Sequence, residues 1–269
     1  MGHLPVTAPA PSVDAFLGPS HPLITPISPQ HHPVPNCTIF SVHDICQPCQ
    51  ATTSAAPTYV GYAQNNLKSG YTMIAPQFID IATATMDIQQ LKATGDSTGD
   101  NVVIQTLDQG GYTVNSYAWN DWAAAEPCWV DDDYVPVEGI TFEPGAGLWV
   151  QGLNTDQGIQ SAGKVGTSDV VVTLRNGFTA AGNPFPVAID LQDIVAEGDN
   201  VADNVVIQTL DQGGYTLKSY AWNDWAAAEP CWVDDDYNPV EDVVFAPGAG
   251  LWVQGISGDQ SIRFPAPEL

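Results

Sequence analysis

Chemistry in this 269-residue chain has to come from five histidines, five cysteines, a large surplus of carboxylates and a repeated set of aromatic rings. The histidines (His3, His21, His31, His32 and His43) all precede residue 58. Residues 58–269 therefore offer no imidazole for general acid–base or nucleophilic work. They also lack a phosphate-cradling P-loop, a Gly-x-Ser-x-Gly elbow and a His-Glu-x-x-His helix. Paired carboxylates can hydrolyse glycosides, but an active cleft is seldom present twice on one short chain. On these grounds the chain is not an enzyme, and no cofactor is required.

The carboxylates invite a metal instead. The runs Asp131–Asp132–Asp133 and Asp234–Asp235–Asp236, with Asp121/Asp224 and Glu126/Glu229 nearby, supply enough oxygens for Ca²⁺. They do not follow the Asp-x-Asp-x-Asp-Gly loop, and the alternative is a solvated acidic loop. Cys37, His43, Cys46 and Cys49 could hold zinc, although their spacing fits no common finger pattern. Haem attachment is excluded because Gln50 stands where a histidine is needed. Cys128 and Cys231 occupy equivalent positions, each without a second cysteine nearby. Each is free, bonded to the other, or bonded to Cys37, Cys46 or Cys49, within the chain or between chains.

What positions these residues is a duplication. The stretch AWNDWAAAEPCWVDDDY occurs at Ala118–Tyr134 and again at Ala221–Tyr237, inside the longer blocks Asn101–Gly152 and Asn204–Gly255. Across those blocks 45 of 52 paired residues are identical at a shift of 103. A period that long predicts two tandem globular domains rather than a solenoid. The pattern within each unit is all-β, with strands expected at Tyr59–Asn65, Tyr71–Ala75, Val102–Leu107, Tyr112–Trp119 and Gly147–Gly152. Asp108-Gln109-Gly110-Gly111 marks a hairpin turn between two of them, and Ile88–Ala93 fits one helical turn. The expected organisation is an arm over 1–57, a β-sandwich or barrel-like domain over 58–162, and its duplicate over 163–269.

The substitutions between blocks suggest which faces are wet. Val114 becomes Leu217 while Asn115 becomes Lys218. Alternation then puts Tyr112, Val114, Ser116 and Ala118 on the core side. The opposite face carries Tyr117, Trp119, Tyr220 and Trp222, with Trp149 and Trp252 extending it beside Gln151 and Gln254. These six rings form a candidate contact surface, unless loop residues such as Trp122 and Trp129 fold over them.

Residues 1–57 hold many prolines and no Lys or Arg, which predicts an extended arm, either a free tail or one that docks on a neighbouring copy. The formal net charge of −25 repels nucleic acid and anionic membranes. No run of 18 apolar residues exists to span a bilayer. An ordinary signal peptide is also missing, although Thr53-Ser54-Ala55-Ala56 has the small residues of a cleavage site.

The opening segments Leu67–Phe78 (LKSGYTMIAPQF) and Leu174–Pro186 (LRNGFTAAGNPFP), with the closers FEPGAGLWV at Phe142–Val150 and FAPGAGLWV at Phe245–Val253, resemble a known pattern. It belongs to secreted bacterial β-rich repeat modules of the "GWNLIGNPFP … PGxGYWV" type, found in surface and extracellular proteins. Tyr71 and Phe178 stand where that pattern usually has Trp. The resemblance covers most of 58–269 and implies secretion and a non-catalytic role. Two functions follow. One is a structural subunit that assembles head to tail with other copies into a filament or surface layer, the arm adding a strand to a neighbour. The other is a bivalent carbohydrate-binding module that stacks sugars on exposed rings.

Overall fold

The computed structural model describes residues 40–41, 58–108, 110–211 and 214–268. The described residues are all-β, and their only helical elements are two three-residue 3₁₀ turns, Ile88–Gln90 and Leu191–Asp193. Every strand pairing is antiparallel.

In the first repeat a five-stranded sheet runs in the order Gly70–Ile74, Leu148–Gly152, Val103–Leu107, Thr113–Asn120, Cys128–Val130. The second repeat copies it with Gly177–Gly182, Gly250–Gly255, Val206–Leu210, Thr216–Asn223 and Cys231–Val233. A second sheet in the first repeat orders Phe40–Ser41, Tyr59–Asn66, Gly158–Lys164 and Lys92–Thr94. Its counterpart holds three strands, Val170–Thr173, Ser261–Phe264 and Val195–Glu197. The predicted hairpin forms, with Val103 opposite Ala118 and a register shift between Thr106 and Leu107. Lys68-Ser69-Gly70 is the turn between the first two long strands. It is a corner that carries the chain from one sheet to the other, so Tyr59–Asn66 and Gly70–Ile74 never pair.

Strand Gly158–Lys164 pairs with Tyr59–Asn66 along its whole length, from Gly158 opposite Asn66 to Lys164 opposite Val60. It crosses position 162 without a break. Each repeat has its own apolar cluster. The first gathers Leu67, Phe78, Met86, Ile88, Ile104 and Trp129; the second gathers Leu174, Phe185, Leu191, Ile207, Trp232 and Phe264.

The fully buried indole of Trp129 is the anchor of the first cluster. Its Nε1–H donates to the Leu91 carbonyl at 2.6 Å, as a buried indole N–H must find an acceptor. Gln89 clamps the same residue, with its Oε1 accepting from Trp129 N at 3.0 Å. Its Nε2 donates to the carbonyls of Trp129 (3.0 Å) and Val137 (2.8 Å). Trp232, Ile194 and Gln192 repeat this arrangement in the second cluster.

The two repeats meet through reciprocal contacts. Ala75 N donates to Gly248 O at 2.9 Å, and the equivalent Gly182 N donates to Gly145 O at 3.0 Å. The isolated bridges are likewise paired, Ile74 with Ala249 and Ala181 with Ala146. At the hairpin tips, Gly111 (φ +80°) leaves only 3.0 Å between an added Cβ and the Trp252 ring, and Gly214 (φ +80°) leaves 3.0 Å to Trp149. Each repeat thus gives the other the same surface that it receives. This is the pattern of a two-fold, self-complementary contact.

Candidate aromatic recognition sites

The six predicted contact rings divide into two groups. Tyr117, Trp119, Tyr220 and Trp222 are buried at 5–8 % exposure and belong to the cores. Trp119 packs edge-on against Trp129 with ring centroids 5.2 Å apart, as Trp222 does against Trp232. The expected face was therefore inverted. The physical reason is that Thr113–Asn115 extends past the end of the core, where all three residues are exposed. Val114 and Leu217 are 59 % and 62 % exposed. The change Asn115 to Lys218 marks the end of the core along the strand, not a wet side of it.

Trp149 and Trp252 do lie on the non-core face of the five-stranded sheets, alternating with the buried Leu148, Val150, Leu251 and Val253. That face is turned toward the other repeat. Trp149 stacks on Tyr71 and Trp252 on Phe178, each at 5.2 Å. Both pairs line a cleft of ≈ 430 Å³ between the repeats, with Gln105 and Thr113 on its wall.

The rings presented to solvent are others. Trp122 is 62 % exposed and Tyr134 49 % exposed, with centroids 5.1 Å apart. Trp225 (61 %) and Tyr237 (49 %) repeat the pair at 5.1 Å. Both pairs rest on hydrogen-bonded loop frames. Asn120 is fully buried; its Oδ1 accepts from Trp122 N (3.0 Å) and Ala123 N (2.6 Å), and its Nδ2 donates to Asp100 Oδ1 (2.8 Å). Asn223 does the same, its Oδ1 accepting from Trp225 N and Ala226 N and its Nδ2 donating to Asp203 Oδ1.

On the tyrosine side, the Asp131 carboxylate accepts from Asp133 N at 3.0 Å and Val135 N at 2.9 Å, while Tyr134 N donates to Asp131 O at 3.0 Å. Asp234 makes the equivalent turn around Tyr237. These turns hold Tyr134 at φ +59° and Tyr237 at φ +60°, a left-handed conformation that is a true outlier for so bulky a residue. The Asn238 N–H donating to Asp234, followed by that of Asp236, holds this carboxyl below the usual carboxylate range.

Of the residues expected to bind calcium, Asp131 and Asp234 each cap a turn through Oδ1, and Asp132, Asp133, Asp235 and Asp236 are exposed along it. Among the described residues no group of three His, Cys, Asp or Glu is placed to hold a metal ion. Cys128 and Cys231 are both free thiols and do not bond to one another. Cys37, Cys46 and Cys49 lie outside the described residues, as does the proposed zinc set.

The exposed pairs were legible only in part. Trp122 lies between Asp121 and a run of three alanines, and Tyr134 directly follows three aspartates, positions where no alternating apolar pattern calls for a large ring. That was the available signal. The turn that brings them within 5.1 Å of each other had none.

Comparison with protein-family models, with curated proteins and with solved structures gives no match.

Proposed function

We propose that this chain is a secreted, non-catalytic protein of two tandem β-sandwich-like domains that binds glycans through two equivalent aromatic sites, Trp122–Tyr134 and Trp225–Tyr237. One observation carries the reading. Each repeat holds a tyrosine in a conformation costing about 1–2 kcal/mol and thereby sets an exposed ring beside an exposed indole. Strain kept at the surface, twice, with the same geometry, is the mark of a prepared contact site. Paired Tyr and Trp rings suit sugar faces because they combine apolar area with polar edges. Two sites on one body give avidity on a polymer.

Retention on insoluble polysaccharides tests this, comparing wild type with Trp122→Ala plus Trp225→Ala. A control carries Tyr112→Ala plus Tyr215→Ala, which removes the most exposed tyrosines outside the pairs (75 % each). Loss of retention in the first variant alone supports the reading. Equal retention by all three proteins contradicts it.

Assembly with other copies is the second reading, and a different observation favours it. Phe40–Ser41 adds to the outer edge of the sheet beside Tyr59 and Val60, the way a strand from a neighbour would. A head-to-tail filament would have to use such an edge. The contact between repeats is self-complementary, and copying it between chains closes a pair instead of propagating a fibre. Electron microscopy of the full chain against a variant with Val60→Pro decides this: filaments lost in the variant support strand addition, and filaments in neither protein count against it.

A further inference from the structure

Resting on the glycan reading above, we infer that the ligand is a cationic glycan, a polymer of amino sugars with free protonated amines. The loops bearing each aromatic pair are acidic and have no basic residue. Between Asn120 and Gly139 the chain holds Asp121, Glu126, Asp131, Asp132, Asp133 and Glu138, with no Lys or Arg; the second repeat keeps an acid at each of these positions, from Asp224 to Glu241, and adds Asp242 in place of Gly139. Asp121 and Asp224 directly precede the site tryptophans, and Asp133 and Asp236 directly precede the site tyrosines. Asp121, Asp132 and Asp133 are exposed, as are Asp224, Asp235 and Asp236.

Among the described residues none of these six carboxylates forms an ion pair. Among the described residues the ion pairs are both made by Arg263, which is held by Asp169 at 3.0 Å and Glu197 at 2.6 Å. A neutral sugar polymer would stack on the rings and gain nothing from the surrounding charge. Uronic-acid or sulfated polymers would be repelled by the −25 net charge. A polymer carrying ammonium groups gains at both places: its sugar faces stack on Trp and Tyr, and its amines lie over ring faces or beside free carboxylates. Because many charges on each partner are involved, added salt weakens the association steeply.

The test uses the full chain and three solid supports of known chemistry: chitin (N-acetylated), chitosan (the same backbone with free amines) and cellulose. A polylysine support checks for charge attraction without sugar. Three proteins are compared: wild type, Trp122→Ala plus Trp225→Ala, and the quadruple variant Asp132→Asn, Asp133→Asn, Asp235→Asn, Asp236→Asn. The quadruple variant spares the turn-capping Asp131 and Asp234. The expected result is retention on chitosan at least about tenfold above chitin for wild type (~1.4 kcal/mol). That preference collapses in the quadruple variant and at high salt. The tryptophan variant should lose chitosan while keeping whatever it had on polylysine.

Equal retention on chitin, chitosan and cellulose overturns the cationic assignment and leaves the glycan reading intact. Retention on none of the sugar supports overturns both. Equal loss of chitosan and polylysine on removing the tryptophans assigns the site to bare cations and overturns the sugar.

Discussion

Replacing Tyr134 and Tyr237 together by Gly should give a more stable protein than replacing both by Ala. The two variants remove the same rings and the same 5.1 Å ring contacts, so their difference isolates the backbone. At φ +59° and +60° an alanine retains the left-handed cost of about 1–2 kcal/mol per residue, whereas glycine has none. Glycine loses about 0.5–1 kcal/mol through its freer unfolded chain. The net advantage is about 0.5–1 kcal/mol per site, or ~1–2 kcal/mol for both. Urea denaturation followed by Trp fluorescence reads this as a rise in midpoint of roughly 0.5 M. An alanine double variant as stable as the glycine one would refute the reasoning. The tyrosines would then carry no strain, and the argument for prepared contact sites would lose its basis.

Gly111→Ala and Gly214→Ala should each destabilise by about 1–3 kcal/mol through left-handed backbone and crowding of the partner repeat's indole. The two effects should match, because the contact is reciprocal; thermal denaturation of each single variant checks both points. Burial pushes the phenols of Tyr117 and Tyr220 up from their ordinary value. A raised folded pKa means stability that is complete below about pH 10 and declines as pH rises past it, which an alkaline titration of folding will show. Replacing Trp129 by Phe leaves the Leu91 carbonyl without its donor and should cost about 1–3 kcal/mol beyond lost packing, with Trp232→Phe equivalent.

The strands, the hairpin and the duplication were readable because each leaves a local mark: alternation, an Asp-x-Gly-Gly turn, a shift of 103. The face of Thr113–Asn120 was not. Alternation defines two faces but does not say which one is covered, and the strand outruns its core by three residues. The choice between faces depends on Trp129, a residue that reaches the core from Cys128–Val130, the short strand that follows the hairpin. Whether the strands on either side of Lys68-Ser69-Gly70 pair was unreadable for a related reason. A short turn between two strands looks the same whether they pair or part, and only the distant partners Gly158–Lys164 and Leu148–Gly152 decide. The exposed pairs needed a left-handed tyrosine, which sequence propensity argues against.

The central claim is that each chain carries two equivalent, independent aromatic sites. Calorimetric titration with a soluble oligosaccharide of the retained glycan measures that number directly. Two equal sites are expected for wild type, one for Trp122→Ala or Trp225→Ala alone, and none for the pair of substitutions. A single site in wild type, or two sites surviving in the double variant, would contradict the account.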